Sequence, residues 1–154
     1  PDQTDKAVEV YRSRYIPIGK FENHPYPGIE DLLTRLKNEG YRLFVATSKP
    51  ETTSIEILNK FGLSPYFEVI AGATMDGSRD EKAQVIAYLL GIVGKLDDTV
   101  MVGDTAFDVI GAKAHGIPTI GVSWGYRPAD CLRENGAKYT PENADALYEI
   151  LKKL

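Results

Sequence analysis

Residues 100–111 read VMVGDTAFDVIG. An apolar run enters Gly103, and Asp104 and Asp108 follow, four residues apart. If a strand ends at Asp104 and a helix starts just beyond it, Asp108 stands one turn further on, and both carboxylates can face one point. Such a pair suits a hard divalent cation such as Mg2+, which takes oxygen ligands and keeps several waters. The same acids would also complement the dipole of a starting helix. Spacing alone leaves the two readings level.

Two other stretches hold groups that could work beside that pair. Thr47 closes the run YRLFVAT and Ser48 follows it, with Lys49 next and Pro50 placed to open a helix. Hydroxyls and free N–H groups at a helix start form an anion site, although a plain N-cap would look the same. Lys82 follows Arg79, Asp80 and Glu81 at the start of another helix, where a cation opposes the dipole. Alone it reads as a surface lysine. Taken together, the hydroxyl, the lysine and the acid pair are equipment for stabilising a transferring phosphoryl group. An activated nucleophile is missing from the set. Asp97 and Asp98 precede their strand, Cys131 lies in a late helix, and His24 and His115 fall in a linker and at a helix end.

These groups must be positioned by the elements around them. Spacing predicts helices over 4–15, 28–38 and 51–61, then over 80–94, 106–116 and 143–153. Strands are expected in YRLFVAT, FEVIAG, TVMVGD and PTIGVSWG. The strands are near-continuous apolar runs that alternate with helices. This is an α/β pattern, a Rossmann-like parallel sheet with helices on both faces. Ligands then bind beyond the carboxyl ends of the strands, where Thr47, Lys82 and Asp104 gather.

A chain of 154 residues, 43% of them hydrophobic, can bury a core as one folding unit. A net charge of −4 argues against a nucleic-acid partner, which rewards a basic stripe. It leaves room for a small phosphorylated substrate. One cysteine, Cys131, excludes an internal disulfide and points to a reducing, cytoplasmic setting. No apolar run approaches the length of a membrane span, so no membrane partner is expected. Nothing in the sequence fixes an oligomeric state.

The motifs resemble those of the haloacid dehalogenase superfamily of phosphatases, over the whole chain from about Tyr26. VATSK is similar to the family's second motif, SRDEKAQVI to the third, and VMVGDTAFDVIGAKAHGIPTIGVSWGY to the fourth. PYPGIEDLLTRLKNEGY and SWGY resemble the phosphoglycolate phosphatase branch. The resemblance implies Mg2+ as cofactor and a small phosphorylated metabolite as substrate. It gives Thr47, helped by Ser48, the phosphoryl oxygens, and Lys82 the phosphate and the nucleophilic carboxylate. Asp104 would bind the metal, and Asp108 would complete or orient the metal and lysine site. In the family an aspartate attacks phosphorus, and water hydrolyses the resulting aspartyl-phosphate.

The first motif, Asp-x-Asp-Gly-Thr, does not occur in this sequence. Thr74-Met75-Asp76-Gly77-Ser78 imitates it but has Thr in the nucleophile's place and falls after the second motif. It reads better as a turn. The family's first-motif strand lies mid-sheet, so the strands ending at Thr47 and Asp104 are expected to flank a gap. Two strand spacings span about 9–10 Å, too far for ladder hydrogen bonds. The natural protein is therefore expected to bring a central strand, the nucleophile and most of a helical cap from an N-terminal segment. On this reading 1–22 are the end of the cap and a return linker, and 23–154 are the α/β core. The chain alone is expected to be inactive. A degenerate, non-catalytic binding module is the competing reading. A signalling receiver domain fits less well, because its acids come first and its Thr and Lys last. Arg79, Asn23, Trp124 and Tyr126 could line the edge of the site, or serve only as loop and packing residues.

Overall fold

The computed structural model describes residues 3–94 and 96–154. Helix α1 spans Gln3–Tyr15, and a short 3-10 turn, Gly19–Phe21, leads to α2, Ile29–Asn38. Strand β1, Phe44–Pro50, runs into α3, Glu51–Lys60, and β2, Val69–Ala73, precedes α4, Lys82–Val93. Then come β3, Met101–Gly103, and α5, Ala106–Lys113, followed by β4, Thr119–Gly121, α6, Ala129–Glu134, and α7, Ala144–Leu151. Every strand and helix read from the sequence is present. The strands begin later than expected: β1 starts at Phe44, not Tyr41, and runs on to Pro50. No described helix is long and apolar enough to cross a membrane.

The helices form where sequence spacing places an apolar stripe. In α2 it is Leu32, Leu33 and Leu36, all buried, with Ile29 half-buried at one end. Gly40, at φ 84°, ends it, and the Tyr41 N–H returns to the Leu36 carbonyl at 3.0 Å. Helix α7 turns an apolar stripe to the same core. Ala144, Leu147, Tyr148 and Leu151 are buried, while Ala146 and Ile150 are only half-buried. Tyr148 can go inside because its hydroxyl meets Glu39 and its ring lies under the Arg35 guanidinium, 3.6 Å from the ring centre.

The strands are parallel but form two separate pairs, β1 with β2 and β3 with β4. The far edge of β4 is covered by the 138–141 segment, where the Gly121 N–H donates to the Tyr139 carbonyl at 2.8 Å. β1 and β3 pair on one side only among the described residues. That is the gap expected between the strand of Thr47 and the strand of Asp104. One core cluster joins α2 and α7 to β4 through Leu32, Leu36, Ile120, Val122 and Leu147. A second sets Val85 and Leu89 of α4 against Ala71 of β2, with Phe44 and Ala46 of β1 beside them. Val109 of α5 and Leu132 of α6 form a third. Helices thus cover both faces of the strands. Before the core, Lys20 is buried against Glu56, and the Lys60 ammonium caps the Phe21 carbonyl at 2.7 Å, fixing the turn after α1 to α3.

Candidate active site

The site begins with an interruption in β1. Ala46 pairs with Ala71 and Pro50 with Ala73, so Thr47, Ser48 and Lys49 face only Gly72 on the partner strand. The extra residues bulge outward at the start of α3. The Thr47 hydroxyl oxygen accepts the Lys49 N–H at 3.1 Å, which leaves its own proton free to donate.

Lys82 is the first residue of α4, and its ammonium is driven inward rather than into water. It donates to the Ala46 carbonyl at 2.8 Å and pairs with Asp108 Oδ1 at 2.8 Å. The two side chains are 10% and 7% exposed, so this is a buried pair and not a surface one. The plainer sequence reading of Lys82 as a solvated lysine therefore fails. The cost of placing a cation at a helix start is met by the carboxylate and carbonyl waiting there. An ammonium has three donors, and two are engaged by the protein. Lys82 also ties the two halves of the sheet together, since Ala46 lies in β1 and Asp108 follows β3.

Asp108 is held from its other side. Its Oδ2 accepts the Asp104 N–H at 3.2 Å, the Thr105 N–H at 3.0 Å and the Thr105 hydroxyl at 2.8 Å. Thr105 and Asp108 thus form a reciprocal cap on α5. Both oxygens of Asp108 are committed, which suits orienting Lys82 and the loop better than direct metal ligation. Asp104 differs. Its Oδ2 accepts the Tyr126 N–H at 2.9 Å, and its Oδ1 has no partner among the described residues. A carboxylate with one oxygen fixed and one free fits a cation that keeps several waters and takes few protein ligands. No group of three or more acidic, histidine or cysteine side chains able to hold a metal gathers anywhere among the described residues, this site included.

Three glycines make this packing possible. A Cβ on Gly103 would lie 2.3 Å from the Asp108 Cβ, and one on Gly125 would lie 2.2 Å from the Asp104 Cβ. A Cβ on Gly111 would lie 2.6 Å from the Lys82 Cγ. Gly111→Ala should therefore push the lysine stem away from Asp108. Overpacking of this kind costs about 1–3 kcal/mol. The urea midpoint and the activity of the full-length protein should fall together. An unchanged midpoint would show that the helices part without strain.

The remaining candidates separate cleanly. Arg79 is not free for a ligand: it donates to the Gly72 carbonyl at 2.9 Å and to Glu51 at 3.0 Å, and stacks on Tyr88. Asn23 donates to the Lys20 carbonyl at 2.9 Å, and Trp124 packs against the core. Tyr126 stays exposed beside Asp104. Asp76 is the centre of a turn, accepting the Ser78 N–H at 3.0 Å. The Thr74 hydroxyl, then the Ser78 N–H and hydroxyl, lower its carboxyl from 3.8 to about 2. The stretch that imitates the first motif is thus local turn chemistry. His115, in the turn after α5, meets the Ala83 carbonyl of α4 at 2.8 Å, a contact that its position in sequence did not announce. The fit of Gly103, Gly111 and Gly125 against the site was likewise missed. Gly-Asp and Trp-Gly were visible as pairs, but not what each glycine would face.

Comparison with known proteins places the chain in a class. Residues 1–122 match the haloacid dehalogenase-like hydrolase family, and the chain belongs to it. Among its relatives is a protein named tyrosine-protein kinase PtkA from Mycobacterium tuberculosis, 47% identical over 97% of this chain and 53% of that protein. A 5'-nucleotidase from Pseudomonas aeruginosa is 35% identical over 96% of this chain and 67% of its own length. A phosphoglycolate phosphatase from Caulobacter vibrioides is 32% identical over 82% of this chain and 52% of its own. A crystal structure described as a predicted phosphatase from Clostridium acetobutylicum superposes with a TM-score of 0.93 at 41% identity, over 96% of this chain and 69% of that one. The chain spans between half and two thirds of the length of these curated relatives.

Proposed function

We propose that this chain is the larger part of a Mg2+-dependent phosphatase core that hydrolyses a small phosphorylated metabolite in a reducing, cytoplasmic setting. The observation that carries the reading is the Lys82 ammonium, buried between the Ala46 carbonyl and Asp108, with Thr47 directly after Ala46 in β1 and Asp104 directly after β3. A buried lysine with one donor to spare, beside a hydroxyl and a half-free carboxylate, suits a phosphate dianion. Thr47 would donate to one phosphoryl oxygen and Lys82 to another. Asp104 Oδ1 would hold the Mg2+, with Asp108 keeping Lys82 in place. The metal, when bound, would draw charge from the phosphoryl oxygens. The gap between β1 and β3 is the place for a central strand, and the aspartate nucleophile would enter on it. Phosphoester turnover through an aspartyl-phosphate, with a phosphoglycolate-type substrate, is the finer form of the proposal. A non-catalytic binding module of the same fold is the alternative.

The identity to PtkA favours a second reading, in which the same site passes the phosphoryl group to a protein tyrosine. Lys82, Thr47 and Asp104 would serve either acceptor. One experiment separates them. The full-length protein should release phosphate from p-nitrophenyl phosphate with Mg2+, and chelator should abolish it, while the 154-residue chain releases none. Transfer from ATP to a tyrosine-bearing protein, with no release from p-nitrophenyl phosphate, would favour the kinase. Neither activity would leave the binding module.

A further inference from the structure

The bulge in β1 is held from the side of β2, opposite the gap. Glu51 is the first residue of α3, directly after the bulged residues. Its Oε2 accepts the Gly72 N–H at 3.1 Å and a hydrogen from Arg79 Nη2 at 3.0 Å. The same guanidinium donates through Nε to the Gly72 carbonyl at 2.9 Å. Gly72 is the residue of β2 that faces the bulge, so the two side chains bind both of its backbone polar groups. Lys49 and Glu51 rest on it: a Cβ on Gly72 would lie 2.7 Å from the Lys49 carbonyl oxygen and 2.5 Å from the Glu51 Cα. The Arg79 guanidinium carbon lies 3.6 Å from the centre of the Tyr88 ring in α4. Its main chain is tied as well, with the Arg79 N–H on the Thr74 hydroxyl at 3.0 Å and the Thr74 N–H on the Arg79 carbonyl at 2.8 Å. Only 17% of the Arg79 side chain and 30% of the Glu51 side chain are exposed. Three residues on, Lys82 opens α4. One guanidinium thus joins the strand end that carries Thr47, the facing strand and the helix that carries Lys82.

We propose that Arg79 is a positioning residue for phosphate: through Glu51 and Gly72 it fixes the shape of the bulge from which Thr47 donates. The inference rests on the phosphatase reading and adds to it a residue that touches neither substrate nor metal. A bulge interrupts the ladder, so its shape needs another support. Donors serve a reacting phosphoryl group best when their directions are set in advance. Glu51 also brings a carboxylate to the helix start beside the bulge, a place that otherwise favours an anion. The guanidinium offsets that charge. Its planar fork holds the carbonyl and the carboxylate in one fixed geometry, whereas an ammonium is a point charge on a flexible stem.

The test uses the full-length protein and its Arg79→Lys and Arg79→Met variants, titrated with Mg2+ and then with inorganic phosphate under amide NMR. In the unmodified protein phosphate should shift Thr47, Ser48 and Lys49. In both variants those shifts should vanish at phosphate concentrations that saturate the unmodified protein. The Mg2+ midpoint, read at the Tyr126 amide bonded to Asp104, should stay where it was. For p-nitrophenyl phosphate, kcat/KM should fall by about 10- to 100-fold, the scale of a binding group displaced by up to about 1 Å. Lysine keeps the charge that balances Glu51 and a stem over Tyr88, so that variant spares the fold. Unaltered phosphate shifts and kcat/KM in either folded variant would overturn the positioning role and leave the phosphatase reading intact. Loss of the Mg2+ response together with the phosphate response would also overturn it, because the whole site would then have loosened. An unmodified protein that releases no phosphate from p-nitrophenyl phosphate would instead remove the phosphatase reading, and the positioning role with it.

Discussion

Lys82→Met should weaken both the fold and the chemistry. The substitution keeps the stem's bulk but leaves Asp108, 7% exposed on its side chain, as an uncompensated buried charge. Breaking one side of a buried pair costs about 3–5 kcal/mol. A protein of this size loses roughly 2–4 °C of Tm per kcal/mol. The variant also cuts the tie from Asp108 to the Ala46 carbonyl, and with it a link between the two strand pairs. Removing one positioned donor at a reacting oxyanion costs about 100- to 1,000-fold in turnover. The double variant Lys82→Met, Asp108→Asn separates the two losses. An amide still accepts from Thr105 but carries no charge to strand, so much of the urea midpoint should return. Activity should not. Recovery of activity with stability would show that Lys82 only braces the site.

Asp104→Asn should show the opposite profile. Its Oδ2 partner is the Tyr126 N–H, and an amide oxygen can take that bond. Nothing else among the described residues depends on the charge. Stability should change by less than about 1 kcal/mol, the range of a single neutral hydrogen bond. Turnover by the full-length protein should fall more than about 100-fold, since the carboxylate is the metal's holder in this account. Unchanged turnover at saturating Mg2+ would contradict the metal assignment.

Much of this could be read from residue order. Alternating apolar runs and helical spacings indicate a parallel α/β layout, and the absence of Asp-x-Asp-Gly-Thr foretells the break between the strand of Thr47 and that of Asp104. Those features depend on local pattern, which a sequence displays directly. The roles of Asp104 and Asp108 could not be told apart there. Four-residue spacing makes them look equivalent, and only the tertiary packing of α4 on α5 brings Lys82 to one of them. The same holds for Gly111, whose value is the space it leaves for a lysine stem from another helix. Tyr148 was missed for a related reason: its hydroxyl finds Glu39 and its ring finds Arg35, both distant in sequence.

The central claim is that Asp104 takes the metal, that Thr47 and Lys82 take the phosphate, and that Asp108 only orients. Amide NMR on the full-length protein reads these roles separately. The Tyr126 amide reports on Asp104, and the Thr105 amide reports on Asp108, through their hydrogen bonds. Added Mg2+ should shift Tyr126 and leave Thr105 nearly still. Inorganic phosphate added next should shift Thr47, Ser48 and Lys49. Mg2+ that moves Thr105 but not Tyr126, or phosphate that moves none of those three amides, would contradict the account.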